Sequence, residues 1–169
     1  MHLRIRTAAT LAVAASFIGL VGLAPPVSAS QTPQTPEGKY CTVVVEPVKP
    51  GEKVSRVKSR TCTDDRATAA AARNSARTPL MSWYEHANYG GGSTMVFGDY
   101  GPCDLSGYVL NTGLWSRSIS SFRTFSSCDG QQATLNDGDG PYLYWGYDTP
   151  YVGDFANDDI YSFWVYNLP

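Results

Sequence analysis

Trp83-Tyr84-Glu85-His86-Ala87-Asn88-Tyr89-Gly90-Gly91-Gly92-Ser93 is the stretch on which the reading of this chain turns. Aromatic residues suited to strands run straight into glycines, which adopt positive φ without the steric penalty other residues meet. A folded β-hairpin is the expected result. Downstream, Gly113-Leu114-Trp115-Ser116-Arg117-Ser118-Ile119-Ser120-Ser121-Phe122-Arg123 carries a polar loop into an alternating strand. From Trp83 to Phe125 there are strand and turn signals for four strands, which is Greek-key spacing.

These residues resemble the βγ-crystallin domains, whose Greek-key unit has an aromatic, six residues and then a glycine in its first hairpin. Tyr84 and Gly91 match that spacing. The family's later loop follows the pattern Asn/Asp-Asn/Asp-x-x-Ser/Thr-Ser. Ser116 to Ser121 keeps both terminal serines and replaces both leading positions. The resemblance implies an all-β fold, a two-Greek-key sandwich over residues 80–169, with Ser121 tying down the folded hairpin.

The second half, Gln131 to Pro169, reads as a second Greek key related to the first by pseudo-twofold repetition. Ala133-Thr134-Leu135, Tyr142-Leu143-Tyr144-Trp145 and Ile160 to Tyr166 are its strand candidates, rich in aromatic and β-branched residues. Its hairpin signature is degraded, because Ala133 stands seven residues before Gly140 where the family has an aromatic. Its loop is better kept in the leading positions: Asn157-Asp158-Asp159-Ile160-Tyr161-Ser162 matches at Asn157, Asp158 and Ser162 and departs at Tyr161. Ser162 takes the same fold-setting position as Ser121.

Calcium is a hard cation that takes six to eight oxygen ligands. In calcium-binding members of the family both repeats contribute to each site, so an intact half of one repeat complements that of the other. Ser120 supplies the hydroxyl that the second repeat lacks, while Asn157, Asp158 and Asp159 supply the acid and amide oxygens that the first lacks. The companion position is left with Arg117 and Tyr161, of which the arginine repels a cation. One calcium site at most is expected. The same side chains also have a plain structural reading, since Asn and Asp favour turns for their own hydrogen bonding. The stretch Asn136-Asp137-Gly138-Asp139-Gly140 fails as an EF-hand: counted from Asp137, Tyr142 falls where glycine is required and Asp148 where a bidentate Glu belongs. It reads as a tight polar hairpin turn.

Toward the N-terminus, Met1 to Ala29 reads as a secretory signal peptide. Arg4 and Arg6 form the positive region, Thr10 to Ala24 is mostly apolar, and Val27-Ser28-Ala29 offers small residues for cleavage. The apolar run falls short of the roughly 20 residues that span a bilayer. The exported chain is then more acidic than the net charge of -2 for the whole sequence. It shows no basic face for nucleic acid, and it is expected to be extracellular, monomeric and free of the membrane after processing.

Residues 30–39, rich in Pro, Thr and Gln, read as a disordered leader. The unit from 40 to 79 reads as a cystine hairpin plus helix. Thr42 to Val45 and Val54 to Ser59 are its strands, Pro50 to Lys53 its turn, and Thr63-Asp64-Asp65 the N-terminus of a helix ending near Thr78. Its role is open between a propeptide, a docking surface, a cap over the crystallin-like part and a loose connector. Four cysteines in an exported chain read as a disulfide framework. Of three pairings, Cys41 with Cys62 and Cys103 with Cys128 are preferred, because each closes a local unit.

An enzyme is not expected. His86 is the only histidine outside the signal segment and lies inside the hairpin signature, and no serine stands in a Gly-x-Ser-x-Gly context. Two functions are carried forward: a calcium-binding βγ-crystallin module, and a proteinase inhibitor, because the order of signal, hairpin, helix and crystallin-like part is similar to the actinobacterial metalloproteinase-inhibitor family. For the latter, the segment around Cys103 and the loop Ser126 to Gly130 are the candidate contact loops for an extracellular protease. Exposed aromatics among Tyr142, Tyr144, Trp145 and Tyr151 leave a third reading, a glycan-binding module, open.

Overall fold

A computed structural model of the chain describes residues 39–72 and 77–169. The expected signal peptide, residues 30–38 of the expected leader and residues 73–76 of the expected helix lie outside the described residues. Along the chain come β1 (Tyr40–Val45), β2 (Val57–Thr63), α1 (Arg66–Ala72), β3 (Thr78–His86), β4 (Gly90–Gly98), β5 (Tyr108–Asn111), β6 (Ser121–Thr124), β7 (Gly130–Leu135), β8 (Tyr142–Trp145) and β9 (Ile160–Tyr166). They form two sheets, in the orders β2-β1-β4-β3-β6 and β5-β9-β7-β8. The fold is an all-β sandwich of two Greek keys, as expected.

The two keys are interlocked through their third strands. β5 leaves the first key and pairs antiparallel with β9 in the opposite sheet, Leu110 facing Phe163. In return, the second key sends Thr149 to bridge Phe122 of β6; the two residues exchange backbone hydrogen bonds of 2.9 and 3.0 Å. Each sheet therefore contains backbone from both keys. Inward-facing positions alternate along the strands, so Ala133 and Leu135 of β7 and Phe163 and Val165 of β9 are fully buried, as are Phe122 of β6 and Ile119 just before it. Phe122 meets Phe163 edge to face at 5.2 Å between ring centroids and Trp145 at 5.4 Å.

The glycine-rich stretch folds as its composition requires. Asn88 and Tyr89 take φ of 58° and 64° in a 3-10 turn, Ala87–Tyr89. Gly91 has φ +76°, and a Cβ there would stand 2.9 Å from both Glu85 Cβ and His86 Cδ2. Both its conformation and its close approach exclude other residues. The buried Ser121 hydroxyl donates to the His86 carbonyl at 2.6 Å and accepts from the Tyr89 amide at 3.0 Å, pinning the folded turn to β6.

In the second key Ser162 instead shares a 2.6 Å hydroxyl–hydroxyl hydrogen bond with Thr134. The turn there, Asn136–Gly138, closes through its own backbone, with Gly140 N–H donating to the Leu135 carbonyl at 3.0 Å. The polar stretch is thus the tight hairpin turn expected of it.

The N-terminal hairpin is built into the first sheet. β1 pairs antiparallel with β2, Cys41 opposite Cys62, and parallel with β4 from Tyr40↔Ser93 to Val45↔Gly98. Both expected disulfides are present. Val43 and Val45 join the common core, which a loose connector would not do. The second hairpin strand lies at 57–63, later than the expected 54–59. Pro47 and Pro50 have no N–H to continue a ladder, so the connection extends through Arg56, whose carbonyl accepts the Glu46 amide at 3.0 Å. The Asp65 carboxylate caps α1 by accepting the Ala67 and Thr68 amides at 3.1 and 3.0 Å. Thr78, where the helix was expected to end, already belongs to β3 and pairs with Gly98.

Candidate functional site

The loop before β9 and the end of the loop before β6 lie against each other. Asn157 N–H and Ala156 N–H both donate to the Gly153 carbonyl, at 2.9 and 3.1 Å, which coils the acidic loop tightly. Asp158 then takes φ 59°, and its amide donates to the Ile119 carbonyl at 3.2 Å. One residue on, the Ser120 carbonyl accepts the Val152 amide at 3.0 Å. Backbone pairing thus ties the acidic loop to the Ile119–Ser120 segment of the first repeat.

Ser120 is buried, and its hydroxyl donates to the Glu85 carbonyl at 2.8 Å. That bond uses the proton and leaves oxygen lone pairs available. Glu85 is itself anchored, its Oε2 accepting the Gly92 amide at 3.0 Å. On the other side, Asn157 Nδ2 donates to Asp158 Oδ2 at 2.7 Å, so the amide oxygen of Asn157 is not spent on the carboxylate. The Asp159 amide closes a turn on the Ala156 carbonyl at 3.1 Å; Asp159 is half-buried and Asp158 exposed. Carboxylate, amide, hydroxyl and carbonyl oxygens are the donors a hard cation takes, whereas zinc and softer metals favour imidazole and thiolate. These residues fit calcium in donor chemistry. Among the described residues no three His, Cys, Asp or Glu side chains converge, so an ion here would depend on hydroxyl and carbonyl oxygens.

The carbonyls of the companion position are also hydrogen-bonded. Thr112 is fully buried, and its Oγ1 stands 2.9 Å from the Ile160 carbonyl and 2.7 Å from that of Tyr161. These carbonyls match those of Ile119 and Ser120 in the repeat alignment, and a protein hydroxyl takes them. Thr112 escaped the sequence reading because it lies outside the loop pattern. The Glu85 and Ile119 carbonyls escaped it because backbone oxygens carry no residue-type signal. The glycines and Asn157-Asp158 were the signals that could be read.

The other singled-out residues are placed as follows. Tyr84 packs edge to face on Tyr89 at 5.6 Å. His86 serves the hairpin through its carbonyl, the acceptor for Ser121. The loop at Ser126 to Gly130 is stapled by the Cys103–Cys128 disulfide and by a hydrogen bond from the Cys103 amide to the Ser126 carbonyl at 3.0 Å. Ser126 and Ser127 both hold positive φ there, 53° and 60°. Next to Cys103, the Asp104 carboxyl is held below the usual carboxylate range, first by the Gly107 amide and then by the Ser106 hydroxyl. Trp145 faces the core, while Tyr142, Tyr144 and Tyr151 are exposed.

No protein-family model matches the sequence, nor does any curated protein. Among solved structures the chain is similar to a βγ-crystallin domain from Clostridium beijerinckii, with 24% identity, a TM-score of 0.40, and coverage of 52% of this chain and 97% of that one. It is also similar to a double mutant of clostrillin solved in complex with nickel, with 21% identity, a TM-score of 0.40, and coverage of 52% and 98%. A βγ-crystallin domain from Flavobacterium johnsoniae follows, with 22% identity, a TM-score of 0.36, and coverage of 52% and 94%.

Proposed function

We propose that this chain is an exported, non-catalytic module of βγ-crystallin type that binds one calcium ion at a composite site between its two repeats. The observation that carries this reading is the hydrogen bond from the Asp158 amide to the Ile119 carbonyl. It links the acidic loop of one repeat to the backbone next to the candidate serine of the other. Asp158 would supply the charge, Ser120 the hydroxyl, and Asn157 and Asp159 further oxygens. The bound ion would crosslink two loops that lie far apart in sequence. It would stabilise the fold by mass action, since the unfolded chain has no such arrangement. One ion and not two is proposed because the companion loop carries Arg117 where an acid or amide would be needed.

Calorimetric titration of the oxidised chain with Ca2+, beside Asp158→Ala and with melts in calcium and in chelator, tests this. Saturation near one ion per chain is expected, with a higher melting temperature in calcium and both effects lost in the variant. Neither heat nor a melt shift at millimolar calcium would leave the loops purely structural.

A second reading, inhibition of an extracellular metalloproteinase, is supported by the loop at Ser126 to Gly130. A disulfide and two positive-φ serines hold it in one shape, which lowers the ordering cost of entering a cleft. Titration against a purified zinc endopeptidase checks it. Cleavage of the chain without loss of protease activity would end that reading.

A further inference from the structure

The outer face of the second sheet carries a pattern used by neither the core nor the calcium loops. Strand register puts Tyr144, Gln132 and Trp164 in one row across β8, β7 and β9, and Tyr142, Thr134 and Ser162 in the next. Tyr142 and Tyr144 are 58% and 64% exposed. Among the described residues neither side chain has a ring contact or a hydrogen bond. The Trp164 indole is held from two sides: its Nε1 donates to the Ser106 carbonyl at 2.8 Å, and its ring stacks on Tyr166 at 4.3 Å between centroids. Tyr166 in turn lies close over Gly130, where a Cβ would stand 2.5 Å from its ring. Between the aromatics sit the Gln132 amide and the hydrogen-bonded Thr134 and Ser162 hydroxyls.

None of these six side chains is charged at neutral pH, so the face has no ion-pairing partner for a phosphate, a carboxylate or an ammonium group. Its groups suit a neutral ligand that is apolar on its flat sides and hydroxylated at its edges, which describes a pyranose. Aromatic rings gain dispersion contact against the C–H face of such a sugar, and amide and hydroxyl groups reach its hydroxyls. Tyr144 and Trp164 stand two strand spacings apart, about 9.5 Å between backbones. Alternate rings of an extended β-1,4-linked glycan present the same face at a comparable interval. A protein partner would be met by a contiguous apolar centre with arginine or aromatic anchors, whereas these rows alternate rings with polar groups. We propose that this face is a binding platform for a neutral, extended β-1,4-linked glycan.

The test is calorimetric titration of the full oxidised chain with cellohexaose and with chitohexaose, in chelator so that calcium plays no part. Tyr144→Ala and Tyr142→Ala are run beside it, with Tyr100→Ala as a control at an exposed tyrosine outside β8. Saturable binding of at least one hexaose is expected. Each β8 variant should weaken it about tenfold, the effect of truncating one strong contact, with unchanged melting temperature, while Tyr100→Ala binds like the parent. The two sugars show whether an acetamido group is required. No binding of either hexaose, or binding indifferent to both β8 variants, would overturn the proposal. So would self-association lost in Tyr144→Ala without glycan binding, which would give the face to a second copy of the chain.

Discussion

At the scale of single residues, Ser121 and Ser162 occupy the same motif position and do different work. Ser121 joins two backbone groups of a folded turn whose residues sit at positive φ. Ser162 meets only the Thr134 hydroxyl. Ser121→Ala leaves both the Tyr89 amide and the His86 carbonyl without their partner and is expected to destabilise the chain by about 1–3 kcal/mol. Ser162→Ala should have less than half that effect, because it removes one hydroxyl–hydroxyl bond and leaves no backbone group without a partner. Urea melts of the two variants at matched pH check this, and equal losses would show that the second turn also depends on its serine.

At the scale of elements, the N-terminal hairpin is an edge pair of the first sheet, closed by the Cys41–Cys62 disulfide. Removing everything before Arg77 would uncover the β4 edge and the core positions facing Val43 and Val45. Each valine contributes about 1.5–3 kcal/mol of burial, and an open hydrophobic edge invites association. The truncated chain is expected to melt markedly lower or to aggregate, followed by thermal denaturation and light scattering. A truncation that melts like the parent would restore the propeptide reading. The existence of this hairpin was legible from its cysteines and valines. Its parallel seat on β4 was not, since the β1 side chains look the same whichever edge the strand joins.

At the scale of the whole molecule, exchange of third strands makes the two keys one cooperative unit. Leu110 belongs by sequence to the first key and packs in the sheet of the second. Leu110→Ala is expected to cost about 2–5 kcal/mol and to lower one transition that far-UV and near-UV dichroism report at the same midpoint. Two separated transitions would show that the keys unfold independently.

Strand type, turn position, disulfide partners and the Tyr84, Gly91 and Ser121 hairpin were determined by the sequence itself. Each depends on a side-chain property expressed locally: alternation along a strand, tolerance of positive φ, a thiol, or a hydroxyl at a set distance. The sheet joined by β1, the crossing of β5, the bond from the Asp158 amide to the Ile119 carbonyl and the contact of Thr112 with the Ile160 and Tyr161 carbonyls were decided only in the tertiary structure. Those choices are made between backbone N–H and C=O groups or with their carbonyl oxygens, and these are the same in every residue, so side-chain pattern carries no record of them.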